Sequence, residues 1–220
     1  MQSGSHIVSL SLGNVAEPSG LVVVDPRINL LEPNDNDGRR DLENYFDVVW
    51  IERFPTGQPI PAAVARVSEL VSDKRLAKKC SVLLDITSTG AAPLRVFEGR
   101  GLYPTSIELT NSGSEEYTSA VKRAPLRDVI GAAQVVLQTS RLKVANALEL
   151  ADTLVTDLQA FDPKPVTLGL DLRGGRNADL VFALAIALWW GDKLTWSTDI
   201  SKINPLAGGR SRGAHSWLGV

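Results

Sequence analysis

The chain has 220 residues, 44% hydrophobic and 22% charged, which fits one large globular domain and excludes wholesale disorder. Lys+Arg 23 against Asp+Glu 25 gives a net charge of −2, which excludes a uniformly basic nucleic-acid or membrane coat. One cysteine, Cys80, permits no internal disulfide and, with two histidines, no structural zinc site; with no signal-peptide pattern at the start, a reducing, intracellular compartment is expected.

Ile7 to Gly13 alternates apolar and small polar residues, the period of a half-buried strand. Leu21 to Val24 reads as a second strand, reached through a turn holding Pro18, Ser19 and Gly20. Pro26 to Asn44 is polar and contains Pro33-Asn34-Asp35-Asn36-Asp37-Gly38, which predicts a surface excursion. Phe46 to Phe54 gives a third strand, so the series predicts an antiparallel meander.

The pattern then changes to strand–helix units. Pro61 to Lys78 has an apolar helical face at Val64, Val67, Leu70 and Val71, with Pro61 in its first turn. Lys74, Arg75, Lys78 and Lys79 would complement the dipole at its end. Val82 to Asp85 is a short buried strand, with Cys80 ahead of it as a small core residue. A helix over Ala91 to Arg100, a strand over Pro104 to Leu109 and a polar loop from Thr110 to Ser119 follow. Further helices are predicted over Leu126 to Thr139 and Ala147 to Phe161. Asp162 to Arg176, with two prolines and three glycines, predicts a loop or small hairpin.

Asp179 to Trp190 is a strongly apolar helix, expected to be buried on most sides with Trp189 and Trp190 as packing residues. Its apolar run, eleven residues from Leu180, is too short to span a bilayer. The Gly- and Arg-rich stretch at 200–220 is expected to be a mobile tail. The whole predicts an α/β domain over 1–199: a mixed central sheet, antiparallel then parallel, with helices on both faces. No GxxxxGK[ST] phosphate loop occurs.

Three acids stand where ligands are commonly bound. Asp85 ends a buried strand and precedes a loop that starts a helix. Asp179 opens the apolar helix, where a carboxylate suits the positive end of the dipole. Glu17 lies in the turn between the first two strands. Carboxylates converging at a sheet edge suit Mg²⁺ or Mn²⁺, hard cations that take oxygen ligands and support phosphodiester hydrolysis. Taken singly, Asp179 reads as a helix N-cap rather than a ligand, and Glu17 as a solvated turn residue.

Read in order, these segments carry a resemblance. Val8-Ser9-Leu10-Ser11-Leu12-Gly13, through Glu17 to Leu21-Val22-Val23-Val24, resembles the opening hairpin of the C-terminal nuclease domain of phage large terminase subunits. Ile51-Glu52-Arg53-Phe54-Pro55-Thr56-Gly57 resembles that family's third strand and exit. Leu83-Leu84-Asp85-Ile86-Thr87-Ser88-Thr89-Gly90 resembles its strand-Asp-glycine segment. Leu126-Arg127-Asp128 with Val136 to Val144 resembles the later helix and the short strand after it, and Asp179 to Trp189 the helix after the last catalytic acid. The match spans roughly Ile7 to Trp189.

The resemblance implies an RNase H-like fold and a Mg- or Mn-dependent endonuclease acting on double-stranded DNA during genome packaging. It implies catalytic and metal roles for Asp85, Asp179 and the auxiliary Glu17. A packaging ATPase or portal protein would be the partner, the bacterial host cytoplasm the place, and no membrane would be involved. Two departures stand out: Ser11 where the family's first-strand metal ligand is an aspartate, and Asn177-Ala178 where many members carry histidine and aspartate. A neutral hydroxyl does not offset cation charge, so the metal site is expected to be impaired. Lys122, Arg123, Arg127, Arg173 and Arg176 could line a phosphate-binding face, joined by Arg141 and Lys143; each also reads as a solvated surface charge. The alternative to the nuclease is a non-catalytic module of the same fold that binds DNA or docks on protein. Sugar-kinase-like folds share the opening hairpin, but their two-halved chains are longer.

Overall fold

The computed structural model describes residues 2–3, 6–30, 42–74, 76, 80–111, 113–118, 121–163 and 178–196. In chain order the elements are β1 (Gln2–Ser3), β2 (His6–Ser11), β3 (Ser19–Leu30), β4 (Leu42–Phe54) and α1 (Ile60–Ser72). They continue with β5 (Cys80–Asp85), α2 (Ala92–Glu98), β6 (Thr105–Thr110), β7 (Glu116–Tyr117) and β8 (Val121–Pro125). The last are α3 (Leu126–Gln138), β9 (Leu142–Val144), α4 (Ala151–Ala160) and α5 (Asp179–Trp196).

One mixed sheet carries them in the order β7-β8-β6-β5-β2-β3-β4-β9, with β1 beside the far part of β3. The meander β2-β3-β4 is antiparallel, whereas β5 pairs parallel with β2, β6 with β5, β8 with β6 and β9 with β4. This is the expected α/β class. Alternation along the central strands builds two cores. Val8 and Leu10, Leu21 and Val23, and Leu84 face α1 and α2; Ile7, Val22, Val24, Leu83 and Ile107 face α3, α4 and α5. α5 packs on β2, β3 and β4 and beneath α3 and α4, so Ala178 to Trp189 is buried on every side. That sandwich explains its lack of a polar face.

Strand β4 contains a bulge. Val23 pairs with Trp50 but Val24 pairs with Val48, leaving Val49 as the extra residue. The extra residue reverses the alternation. Phe46 and Val48 face α5 before it, Ile51 does so after it, and Trp50 and Phe54 turn to the opposite core.

Four sequence expectations need correction. The excursion predicted over Pro26 to Asn44 is strand at both ends, since β3 continues to Leu30 and β4 starts at Leu42. Pro26 is buried opposite Phe46, at a position between the registers of β1 and β2, where it interrupts neither ladder. Charge pairs also support the extension, because Arg27 bonds Asp47 across the pair at 2.6 Å. The helix predicted to Lys78 stops at Ser72, where Asp73 is extended and its N–H is held by the Leu70 carbonyl. The helix predicted from Ala147 begins at Ala151, after a run of turns. Three strands were not legible as such: β1, β7, and β8 with its charged Lys122-Arg123, which forms by pairing with β6 while Arg123 bonds Glu108 at 2.9 Å. Arg75, Lys78 and Lys79, the segment 164–177 and the tail at 200–220 lie outside the described residues.

The far end of α5 is pinned to the β7 edge. Lys193 and the Tyr117 hydroxyl both donate to the Glu115 carboxylate, and the Lys193 ammonium stands 4.6 Å over the Trp189 ring. Burial alone would raise the Glu115 pKa, but these donors lower it below the ordinary 4.5. A depressed folded-state value means the stabilisation is complete above pH 4.5 and fades as pH falls through the folded value. Melting temperatures of Glu115→Gln and wild type should therefore differ by a constant amount at neutral pH, and the gap should close in acid. A gap that persists unchanged into strong acid would contradict the pairing.

Candidate functional site

The sheet register lines up four positions in one row across β4, β3, β2 and β5: Arg53, Gly20, Ser11 and Asp85. Gly20 is the gap in that row. A Cβ there would meet the Asp179 backbone carbon at 2.5 Å and the Leu180 nitrogen at 2.7 Å. The missing side chain thus lets the first turn of α5 sit directly on the sheet, with Asp179 above Gly20.

Asp85 is 1% exposed and Ser11 fully buried. Ser11 Oγ donates to Asp85 Oδ2 at 2.9 Å, and the Thr87 N–H donates to Asp85 Oδ1 at 2.9 Å. The Thr87 hydroxyl also donates to Oδ1 and accepts from the Leu109 N–H at 2.9 Å, which ties the loop after β5 to β6. Each Asp85 oxygen therefore accepts from at least one neutral donor.

Asp179 has a charged partner. Arg53 Nε donates to Asp179 Oδ2 at 2.9 Å and Arg53 Nη2 to Asp179 Oδ1 at 3.0 Å, a two-pronged grip matched to the planar guanidinium. Arg53 Nη2 also donates to Asp157 Oδ2 on α4. The side chains of Arg53, Asp157 and Asp179 are 21%, 13% and 2% exposed. Burial works against the Arg53 charge, and the hydrogen bonds it donates to Asp179 and Asp157 more than offset it, so its pKa is raised. Asp179 is thus not the N-cap: the Phe182 N–H bonds the carbonyl of Ala178, one residue earlier.

No family model matches the chain, and no curated protein matches it in sequence. Solved structures do. The human cytomegalovirus terminase nuclease domain, soaked with Mn and bound to an inhibitor, matches at a TM-score of 0.51 and 11% identity, over 91% of this chain and 86% of that one. The Mn-soaked domain without inhibitor gives a TM-score of 0.50 at 12% identity over the same shares, 91% and 86%. The large terminase nuclease of the thermophilic phage G20c gives 0.49 at 17% identity, over 84% of this chain and 81% of that one. The fold is terminase nuclease-like.

The cytomegalovirus domain was soaked with Mn, a divalent cation. A two-metal centre needs several carboxylate oxygens free to converge. Here the Asp85 oxygens accept from Ser11 and Thr87, and the Asp179 oxygens accept from Arg53. Among the described residues no three His, Cys, Asp or Glu side chains gather into a group able to hold a metal. Glu17 sits in the turn after β2, where its Oε2 is buried and, among the described residues, accepts no hydrogen bond. Among the described residues, the donor set does not fit a two-metal centre.

Of the basic residues, Arg173 and Arg176 lie outside the described residues, as does Asn177. Lys143 is exposed, whereas Lys122, Arg123, Arg127 and Arg141 have partners within the domain. The Lys122 ammonium stands 4.1 Å over the Trp190 ring and 5.2 Å over Tyr117, and burial lowers its pKa. Arg123 bonds Glu108 and Glu116; Arg127 bonds Asp128 and the Gly113 carbonyl. Arg141 donates to the Asn44 carbonyl at 3.2 Å and so holds β4.

Arg53, Asp157, Thr87 and Gly20 were missed as site residues. Asp157 left a faint signal, falling three residues after buried Leu154 and six after buried Ala151, on the inward face of α4. Arg53 left none, because its direction depends on the bulge at Val49.

Proposed function

We propose that this chain is a terminase-nuclease-type domain, 1–199 followed by a tail at 200–220, directed at double-stranded DNA and impaired at its metal centre. Its lineage is that of Mg- or Mn-dependent endonucleases, and Asp85, Asp179 and Glu17 occupy the acidic positions of that centre. The observation that carries the reading is the Ser11–Asp85 hydrogen bond of 2.9 Å. A hydroxyl that donates to Asp85 stands where a second carboxylate would share a cation. Such a site positions its acids without the charge needed to assemble two metals, so cleavage is slow or lost.

DNA contact would fall to Lys122, Arg123 and Arg127 with Arg173 and Arg176, through phosphates and therefore without sequence preference. A packaging ATPase or portal protein in the bacterial host cytoplasm is the partner this role implies. A non-catalytic docking module is the second reading, favoured by the internal partners of Lys122, Arg123 and Arg127.

Two assays on the wild-type chain test this. Binding to a DNA duplex should weaken steeply with added salt, and supercoiled plasmid with Mn²⁺ should be nicked barely or not at all. Any nicking should vanish in Asp85→Asn. Brisk cleavage by the wild type, or cleavage that survives Asp85→Asn, would overturn the proposal. Absence of DNA binding would leave the docking reading.

A further inference from the structure

We infer that Arg53 is the resident cation of this site: its guanidinium balances Asp179 and Asp157 in place of a divalent metal and keeps hard cations out. The inference rests on reading this end of the sheet as a former nuclease centre and states what now holds it together. Three independent features converge on it. The bulge at Val49 turns Arg53, rather than Glu52, toward α5. Gly20, the next residue in the row, has no side chain, so Asp179 descends to the level where Nε and Nη2 meet both its oxygens. Asp157 reaches the same Nη2 from α4, so one guanidinium joins a strand and two helices.

Charge accounts for the rest of the row. Two acids beside one guanidinium leave a single negative charge, which the partly exposed Asp157 and Arg53 share with solvent. On the other side of Gly20, Asp85 accepts from a serine and a threonine, neither of which adds charge. An aspartate at position 11 would place a second buried carboxylate against Asp85. Ser11 and the Arg53 grip are therefore two parts of one arrangement, each suited to a site without a divalent ion. Arg53 and a metal compete for the same oxygens of Asp179.

The test restores the carboxylate with and without the competitor. Ser11→Asp alone, Arg53→Gln alone, and the double variant are melted across a Mn²⁺ titration, with bound Mn²⁺ counted by electron paramagnetic resonance. Only the double variant should gain a saturable rise, of about 5–10 °C when Mn²⁺ exceeds its Kd about a hundredfold. Arg53→Lys with Ser11→Asp keeps a cation in place and should remain insensitive to Mn²⁺. Adding Asp157→Asn to the double variant removes one stranded charge and keeps the test readable if the double variant does not fold. An equal rise in Ser11→Asp alone would show that Arg53 excludes nothing and would overturn the inference. So would a folded double or triple variant with no bound Mn²⁺. Either result leaves DNA binding by the wild type, and with it the proposed function, to be judged separately.

Discussion

Arg53→Met should cost about 3 kcal/mol of stability and lower the melting temperature by roughly 6–12 °C. Methionine keeps much of the stem's length but removes the guanidinium, stranding Asp179 at 2% exposure and Asp157 at 13%. Removing one partner of a buried pair costs several kcal/mol because the other charge stays desolvated; the 21% exposure of Arg53 puts this case at the lower end. Adding Asp179→Asn should recover part of the loss, since a neutral amide needs no counter-charge. That recovery separates stranded charge from lost packing. A melting temperature unchanged in Arg53→Met would mean that the three side chains do not share one cluster.

Gly20→Ala is the second large effect, and it runs in the opposite sense, by adding an atom. Its Cβ would lie 2.5 Å from the Asp179 carbonyl carbon and 2.6 Å from the carbonyl oxygen, both backbone atoms that no rotamer change relieves. Overpacking of this kind costs about 1–3 kcal/mol, and a backbone obstacle puts it near 3. The first turn of α5 must lift, so amide exchange should accelerate at Leu180 to Phe182 before it does in β2 or β5. Gly20→Ser should behave like alanine, because the obstacle is the Cβ and not polarity. Tolerance of both substitutions would contradict the close seat of α5 on the sheet.

Much of this architecture was legible in the sequence. Strict alternation marked β2, and the run of apolar residues after Asp179 marked a helix buried on all sides, as the sandwich between sheet and α3–α4 requires. Asp85 and Asp179 were legible as acids at the ends of apolar segments, and Ser11 as a hydroxyl where a family ligand was expected. The illegible parts share a cause, which is dependence on partners distant in sequence. Strand β8 forms because β6 offers it an edge, although Lys122 and Arg123 have little strand propensity. Pro26 reads as a strand breaker, yet its position between two ladders makes it harmless.

Arg53 is the sharpest example. Simple alternation from Phe46 and Val48 would send Arg53 to the face opposite α5, and a single extra residue at Val49 reverses this. Nothing local in Val48-Val49-Trp50 announces a bulge. The charge partner of Asp179 was therefore hidden, while the departure at Ser11 was visible. Under the proposed function, Ser11 beside Asp85 and Arg53 beside Asp179 are two parts of one site without a divalent ion.

The most direct test of that picture is the Mn²⁺ affinity of the wild-type chain, followed by electron paramagnetic resonance at neutral pH. A terminase nuclease-like site whose cation is Arg53 should show no saturable uptake and no change in melting temperature. Stoichiometric Mn²⁺ binding that is lost in Asp85→Asn or Asp179→Asn would show that the carboxylates still serve a metal, and would contradict the account.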